Sequence, residues 1–238
     1  MLRSIQLRMA EVLSHLVSAD QISALSKYIF LRQLLNDLGI VEVLDVGANA
    51  GQFATALRHI GFRGAITSFE PIPEVFDAIR TKMARDANWS GHNLAVGDNE
   101  AVLELNVMAS SVYSSFNSPV DGQDGRNRIV RTCRVPVIRL DRFLDQRDLG
   151  RTLLKVDTQG YEMQVFRGLG DRLATLRAVM CEVSVNALYD ATPSMNQVVN
   201  FLSERAFKPA FFSPVGGRAD DLSAREFDYI CTRQQSAV

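Results

Sequence analysis

A glycine-bearing turn and a few acidic residues carry the chemistry legible in this chain. Asp45-Val-Gly-Ala-Asn-Ala-Gly51 follows an apolar run and precedes a helical pattern, so Gly47 and Gly51 place a tight turn at the start of a helix. Free N–H groups there face outward, and the small residues let the backbone approach a ligand closely. Asp45, two residues before the first glycine, can meet an ammonium group, and Asn49 sits within the turn. The next apolar run ends in Ser68-Phe69-Glu70-Pro71, where an acid can accept both hydroxyls of a ribose. The turn lacks the GxGxxG spacing of a dinucleotide site and the Lys-Ser/Thr of a phosphate loop. A partner for a cation, close backbone approach and a ribose-binding acid together describe S-adenosylmethionine rather than a pyrophosphate cofactor. The glycines alone would say only that the chain turns sharply.

A second acidic group lies downstream. Asp157 ends the run Leu154-Lys-Val-Asp, Glu182 ends Met180-Cys-Glu, and Glu162 opens the segment after Asp157. At neighbouring strand ends, Asp157 and Glu182 could share a divalent cation, most simply Mg²⁺, or one could take a proton from an attacking hydroxyl. The same residues have plainer readings. Asp157 can cap the turn that begins Thr158-Gln-Gly, Glu162 can be an exposed first-turn acid complementing a helix dipole, and Lys155 can reach a carboxylate. Tyr113, Tyr161 and Tyr189 could line an acceptor pocket or simply pack, and the serines from Ser110 to Ser115 could contact an acceptor or form a linker. His15, His59 and His92 fit no Ser-His-Asp arrangement, and no His/Cys group has zinc spacing.

The elements that must position these residues follow from periodicity. Two helices are expected over residues 1–39: one with Leu2, Ile5, Met9, Val12, Leu13 and Leu16, the other capped by Ser18 or Asp20 and stopped by Gly39. They read as an appendage serving as a lid or a homodimer contact; the first could instead lie on a membrane surface. From residue 40 to 238, short apolar strands alternate with helices. Strands are expected at Ile40–Val46, Ala65–Phe69, Asn93–Val96, Thr152–Val156 and Ala178–Val183, and helices at Gln52–Ile60, Glu74–Ala87 and Ser194–Arg205. A closing hairpin near Phe207–Phe212 and Phe227–Thr232 adds an antiparallel edge strand. Strand-like runs Val102–Met108 and Cys133–Ile138 flank a polar stretch near 109–128 with the composition of a mobile loop.

Composition narrows the classes. A formal charge of -1 leaves no basic footprint for nucleic acid. No apolar run reaches the roughly 20 residues of a membrane span, and the first residues lack a signal peptide's apolar core, so a cytoplasmic location is expected. Cys133, Cys181 and Cys231 read as free, buried thiols.

Asp45-x-Gly-x-Asn-x-Gly51 with Phe69-Glu70-Pro71 resembles the class I methyltransferase signature, and more narrowly the FkbM-type methyltransferases. Asn93-Leu-Ala-Val-Gly-Asp98, Val135-Pro-Val-Ile-Arg-Leu-Asp141, Leu154-Lys-Val-Asp-Thr-Gln-Gly-Tyr-Glu162 and Glu226-Phe-Asp-Tyr-Ile extend the likeness over about residues 41–232. One departure is Gln159, where the family commonly has Glu. The resemblance implies an α/β, Rossmann-like class I methyltransferase fold with a mostly parallel sheet and an antiparallel C-terminal strand. It implies S-adenosylmethionine held by Asp45, Gly47, Asn49, Gly51, Glu70 and Pro71. Transfer to a hydroxyl of a sugar, glycolipid or secondary metabolite would use Asp157, Glu182 and Glu162. A non-catalytic S-adenosylmethionine-binding module and, further off, an NAD-dependent oxidoreductase are the alternatives.

Overall fold

The computed structural model describes residues 17–120, 128–218 and 224–233. The helix expected from Leu2 to Leu16 lies outside them. The second helix forms as α1 (Ala19–Asp37), opened by a capping box: Gln21 N donates to Ser18 Oγ at 3.2 Å and Ser18 N donates to Gln21 Oε1 at 2.8 Å. In chain order there follow β1 (Glu42–Val46), α2 (Gln52–His59), β2 (Ala65–Phe69), α3 (Pro73–Met83), β3 (Trp89–His92), β4 (Ala95–Val96), β5 (Ala101–Met108), β6 (Ile129–Ile138) and α4 (Leu140–Leu144). The second half contributes β7 (Thr152–Val156), α5 (Glu162–Leu169), β8 (Ala178–Ser184), α6 (Met195–Ser203), β9 (Phe207–Arg218) and β10 (Ala224–Arg233).

The main sheet has the order β3-β2-β1-β7-β8-β10-β9, with the first five strands parallel and β10 antiparallel to both its neighbours. This is the expected class I arrangement, and two details correct the sequence reading. The antiparallel strand is β10, which lies inside the sheet, while β9 forms the edge. The third parallel strand is Trp89–His92, whereas Ala95–Val96 turns away to pair with β6 in a second sheet of order β4-β6-β5.

Strands buried on both faces explain the continuous apolar runs. Val43, Ile66, Leu153, Met180 and Ile230 point to one side and pack under α1, α2 and α3. Leu44, Leu154, Cys181, Tyr229 and Cys231 point to the other, under α4, α5 and α6. Because β1, β2, β7 and β8 run parallel, their carboxyl ends share one rim, where the loops that follow them meet. All three cysteines are free; Cys181 and Cys231 are buried, while Cys133 is partly exposed.

α1 is stapled onto the sheet's far edge. Phe30 stacks on Phe211 of β9 with ring centroids 4.6 Å apart, and Ser23 and Ser213 share a hydrogen bond of 2.8 Å. Among the described residues no helix is long and apolar enough to cross a membrane.

Candidate functional site

A cavity of about 280 Å³ opens at the carboxyl rim, lined by the turn after β1, the ends of β2 and β7, part of α1 and Asp228 in the middle of β10. Its floor is the turn itself. Gly47 adopts φ +75°, and a Cβ there would stand 1.8 Å from the Asp157 carbonyl oxygen, so the turns after β1 and β7 can touch only through glycine. Gly51, at φ +76°, likewise has no room for a Cβ beside Ile79 and opens α2. Asn49, also at positive φ, folds its Oδ1 back to accept from Ala50 N at 2.7 Å.

Glu70 ends β2 and is 4% exposed, yet it lines the cavity. Asn49 N donates to its Oε2 at 2.8 Å and Ile72 N to its Oε1 at 2.9 Å, which locks the carboxyl against the β1 turn. Burial pushes its pKa up to about 7, with the two amide hydrogen bonds opposing. Pro71 is held beside it: Asn93 Nδ2 donates to the carbonyls of Glu70 and Pro71 at 2.9 and 3.0 Å. Gly47, Asn49, Glu70 and Pro71 are thus gathered around one cavity, with Gly51 directly behind them.

Asp45 is placed differently from its neighbours in the motif. It is fully buried beneath the turn and does not line the cavity. The ammonium it meets belongs to Lys155, its direct register partner on β7, at 3.1 Å from Oδ1. That contact lies off the line of a good hydrogen bond, so the attraction is mainly charge on charge. Lys155 Nζ also donates to Gly47 O at 2.8 Å and stands 3.6 Å from Asp157. Burial alone would lower the Lys155 pKa, but Asp45 and Asp157 hold it above its ordinary value. The pair therefore fixes the turn from below.

Asp157 and Glu182 do come together, through Gln159. Its amide nitrogen donates to Asp157 Oδ1 at 3.0 Å and to Glu182 Oε1 at 3.3 Å, while its Oε1 faces the Tyr189 hydroxyl at 3.2 Å. Ser115 Oγ donates to the Gln159 carbonyl at 2.6 Å, holding the residue at φ +55°. Asp157 lines the cavity; Glu182 does not. Burial, with Asp157 and Glu226 nearby, raises the Glu182 pKa well above its ordinary value. Burial and neighbouring carboxylates thus oppose ionisation of Glu182, and it stands outside the cavity, so Asp157 is the better placed of the two to meet an acceptor.

The shared Mg²⁺ expected at Asp157 and Glu182 does not fit this arrangement. The gap between the two carboxylates is filled by N–H donors, which a cation repels, and Gln159 supplies no oxygen toward them. Among the described residues no group of three or more His, Cys, Asp or Glu could hold a metal ion. Glu162 also departs from the exposed acid expected. It is 3% exposed, and its Oε1 accepts from Thr158 N, Thr158 Oγ1 and Gly160 N at 3.0, 3.1 and 3.2 Å. It shapes the turn after β7 from behind rather than facing the cavity. Tyr189 is buried, and Tyr161 packs on Phe116 at 4.7 Å.

Sequence reasoning gave no role to Lys27 and Asp228, which line the cavity from α1 and β10 and form an ion pair of 2.6 Å. No local motif marks either; only the closing of the sheet brings them together. From the serine run, Ser111 and Ser114 reach the cavity, and Ser111 Oγ accepts from Asn49 Nδ2 at 3.2 Å. Residues 121–127 of the polar stretch lie outside the described residues.

Sheet order, rim cavity and acid-bearing turns define a class I methyltransferase architecture. The chain belongs to the family of the methyltransferase FkbM domain, whose model matches residues 45–209. Methyltransferase 1 of Beauveria bassiana is 30% identical over 151 residues, covering 54% of this chain; the match spans 58% of that relative's length. Solved structures with a similar chain path include magnesium protoporphyrin IX methyltransferase from Synechocystis with bound SAM, at TM-score 0.49 and 11% identity over 92% of this chain and 85% of that one. Another is precorrin-6y C5,15-methyltransferase from Geobacter metallireducens, at TM-score 0.47 and 11% identity, covering 92% of this chain and 90% of that one.

Proposed function

We propose that the protein is an S-adenosylmethionine-dependent O-methyltransferase acting on a hydroxyl of a sugar, glycolipid or secondary metabolite. The observation that carries the donor is Glu70: a buried carboxyl at the end of β2, locked to the glycine turn by Asn49 N and lining the cavity. Glu70 can accept ribose hydroxyls on lone pairs its two amide partners do not use. The bound donor would supply a methyl group on a sulfonium. This chain's tasks are to align the acceptor and receive its proton. Asp157 is the carboxylate at the cavity wall, and Gln159 and Lys155 fix its orientation from both sides. Family membership supports methyl transfer; the hydroxyl acceptor rests on the need for a base and on the serines at the mouth.

Two expected results follow. Because a ribose donates to an ionised Glu70, S-adenosylhomocysteine binding should strengthen as pH rises through about 7 and release a proton near that pH. Glu70→Gln should flatten the dependence and weaken binding roughly tenfold. Titration calorimetry at several pH values in two buffers checks both, and a pH-independent wild type would remove Glu70 from the ribose. Asp157→Asn should retain S-adenosylhomocysteine affinity while lowering methyl transfer about a hundredfold or more. The assay is a mass-spectrometric screen of deoxyhexose glycolipids and macrolide-type alcohols for one added methylene. Full turnover by the variant would rule out Asp157 as the base.

A further inference from the structure

The family segment ends at residue 209, and α1 precedes it, yet the cavity is completed by residues from both flanks, Lys27 and Tyr28 on one side and Asp228 on the other. Lys27 lies on α1 and Asp228 on β10. Their side chains are only 14% and 12% exposed, and their ion pair of 2.6 Å faces the same cavity as Asp157 and the Gly47 turn. An oppositely charged pair at a cavity wall is complementary to a zwitterion, which can exchange partners with it charge for charge.

We propose that Lys27 and Asp228 read the amino-acid end of the methyl donor, Lys27 taking its carboxylate and Asp228, beside Asp157, its ammonium. This rests on the donor reading above and adds the residues that discriminate a donor with an amino-acid tail from a bare nucleoside.

The charge inventory of the cavity supports the assignment. Among the described residues its lining holds two cations, Lys27 and Lys155. Lys155 is committed beneath the floor, to Asp45 at 3.1 Å and the carbonyls of Gly47 and Val46 at 2.8 and 3.4 Å. That leaves Lys27 as the cation able to turn toward a ligand carboxylate. Asp45, the acid expected from the sequence to meet the donor's ammonium, is sealed off by Lys155, so that group falls to Asp228, the wall carboxylate not engaged with the acceptor's proton. Glu70, by contrast, lines the cavity from the end of β2, with lone pairs beyond those used by Asn49 N and Ile72 N that suit the nucleoside's ribose. Lys27 lies on α1 between Ser23 and Phe30, whose contacts with Ser213 and Phe211 hold its backbone against β9.

The test compares two ligands on the full chain by calorimetry: S-adenosylhomocysteine, which has the amino-acid end, and methylthioadenosine, which lacks it. Lys27→Met and Asp228→Asn should each weaken S-adenosylhomocysteine roughly tenfold or more. Both should leave methylthioadenosine affinity within about twofold, and Lys27→Arg should restore most of the loss. Equal losses for both ligands would overturn the inference, showing that the pair only anchors α1. Unchanged S-adenosylhomocysteine affinity in both variants would overturn it as well. A wild-type chain that binds neither ligand would instead refute the donor reading itself.

Discussion

Lys155→Met should destabilise the fold by about 3–5 kcal/mol at pH 8, measured by denaturant unfolding. The ammonium is buried between Asp45, itself with no exposed surface, and the carbonyls of the β1 turn. Removing it leaves a desolvated carboxylate in the centre of the sheet with only the Ser68 hydroxyl, at 3.4 Å, for company. A methionine replaces the volume of the side chain but none of its charge. The double variant Asp45→Leu/Lys155→Met should recover much of the loss, because exchanging both members of a buried pair for apolar residues costs far less than stranding one. The single variant should also lose S-adenosylhomocysteine binding, since Lys155 holds the Gly47 carbonyl that shapes the cavity floor. A single-variant loss below about 1 kcal/mol would show that Asp45 is satisfied by other means.

That pair also shows what the chain revealed before folding and what it withheld. Asp45 was legible as an acid needing a cation, but its partner lies on β7, 110 positions away, and is identified only by register. The strands Ala65–Phe69 and Thr152–Val156 were legible to the residue because they are central, buried on both faces and bounded by polar turns. Trp89–His92 was not. As an edge strand it has no buried residue, and Trp-Ser-Gly-His offers neither an apolar run nor alternation. The more apolar Ala95-Val96 drew attention to itself and belongs to the second sheet. The donor side of the cavity was legible because one continuous segment builds most of it. The opposite wall was not, since α1, the turn after β7 and β10 meet there without any shared motif. Glu162 shows the same limit: helix position predicts an exposed acid, while the backbone amides of Thr158 and Gly160 folding over it make it a buried one.

Gln159→Glu tests the polar wall most directly, because it exchanges the amide NH2 for an oxygen at almost unchanged volume. In the native chain one amide group faces two carboxyls, Asp157 and Glu182. A glutamate there would set a third acid oxygen against both. The variant should lose about 2–4 kcal/mol of stability at pH 8. The sign with pH follows from linkage. The new acid's pKa is raised in the folded state, so the deficit is absent below the unfolded value of about 4.3, grows as pH rises above it, and is complete past the folded value. Three clustered acids also form what the native arrangement lacks, an oxygen donor set for a hard cation. Added Mg²⁺ or Ca²⁺ should therefore raise the melting temperature of the variant while leaving the wild type unmoved. If the wild type responds to the cation as strongly, the amide is not what keeps metal out of this wall. If the variant is as stable as the wild type at pH 8, the Gln159 bridge does not hold the two carboxyls together, and the orientation of Asp157 must come from Lys155 alone.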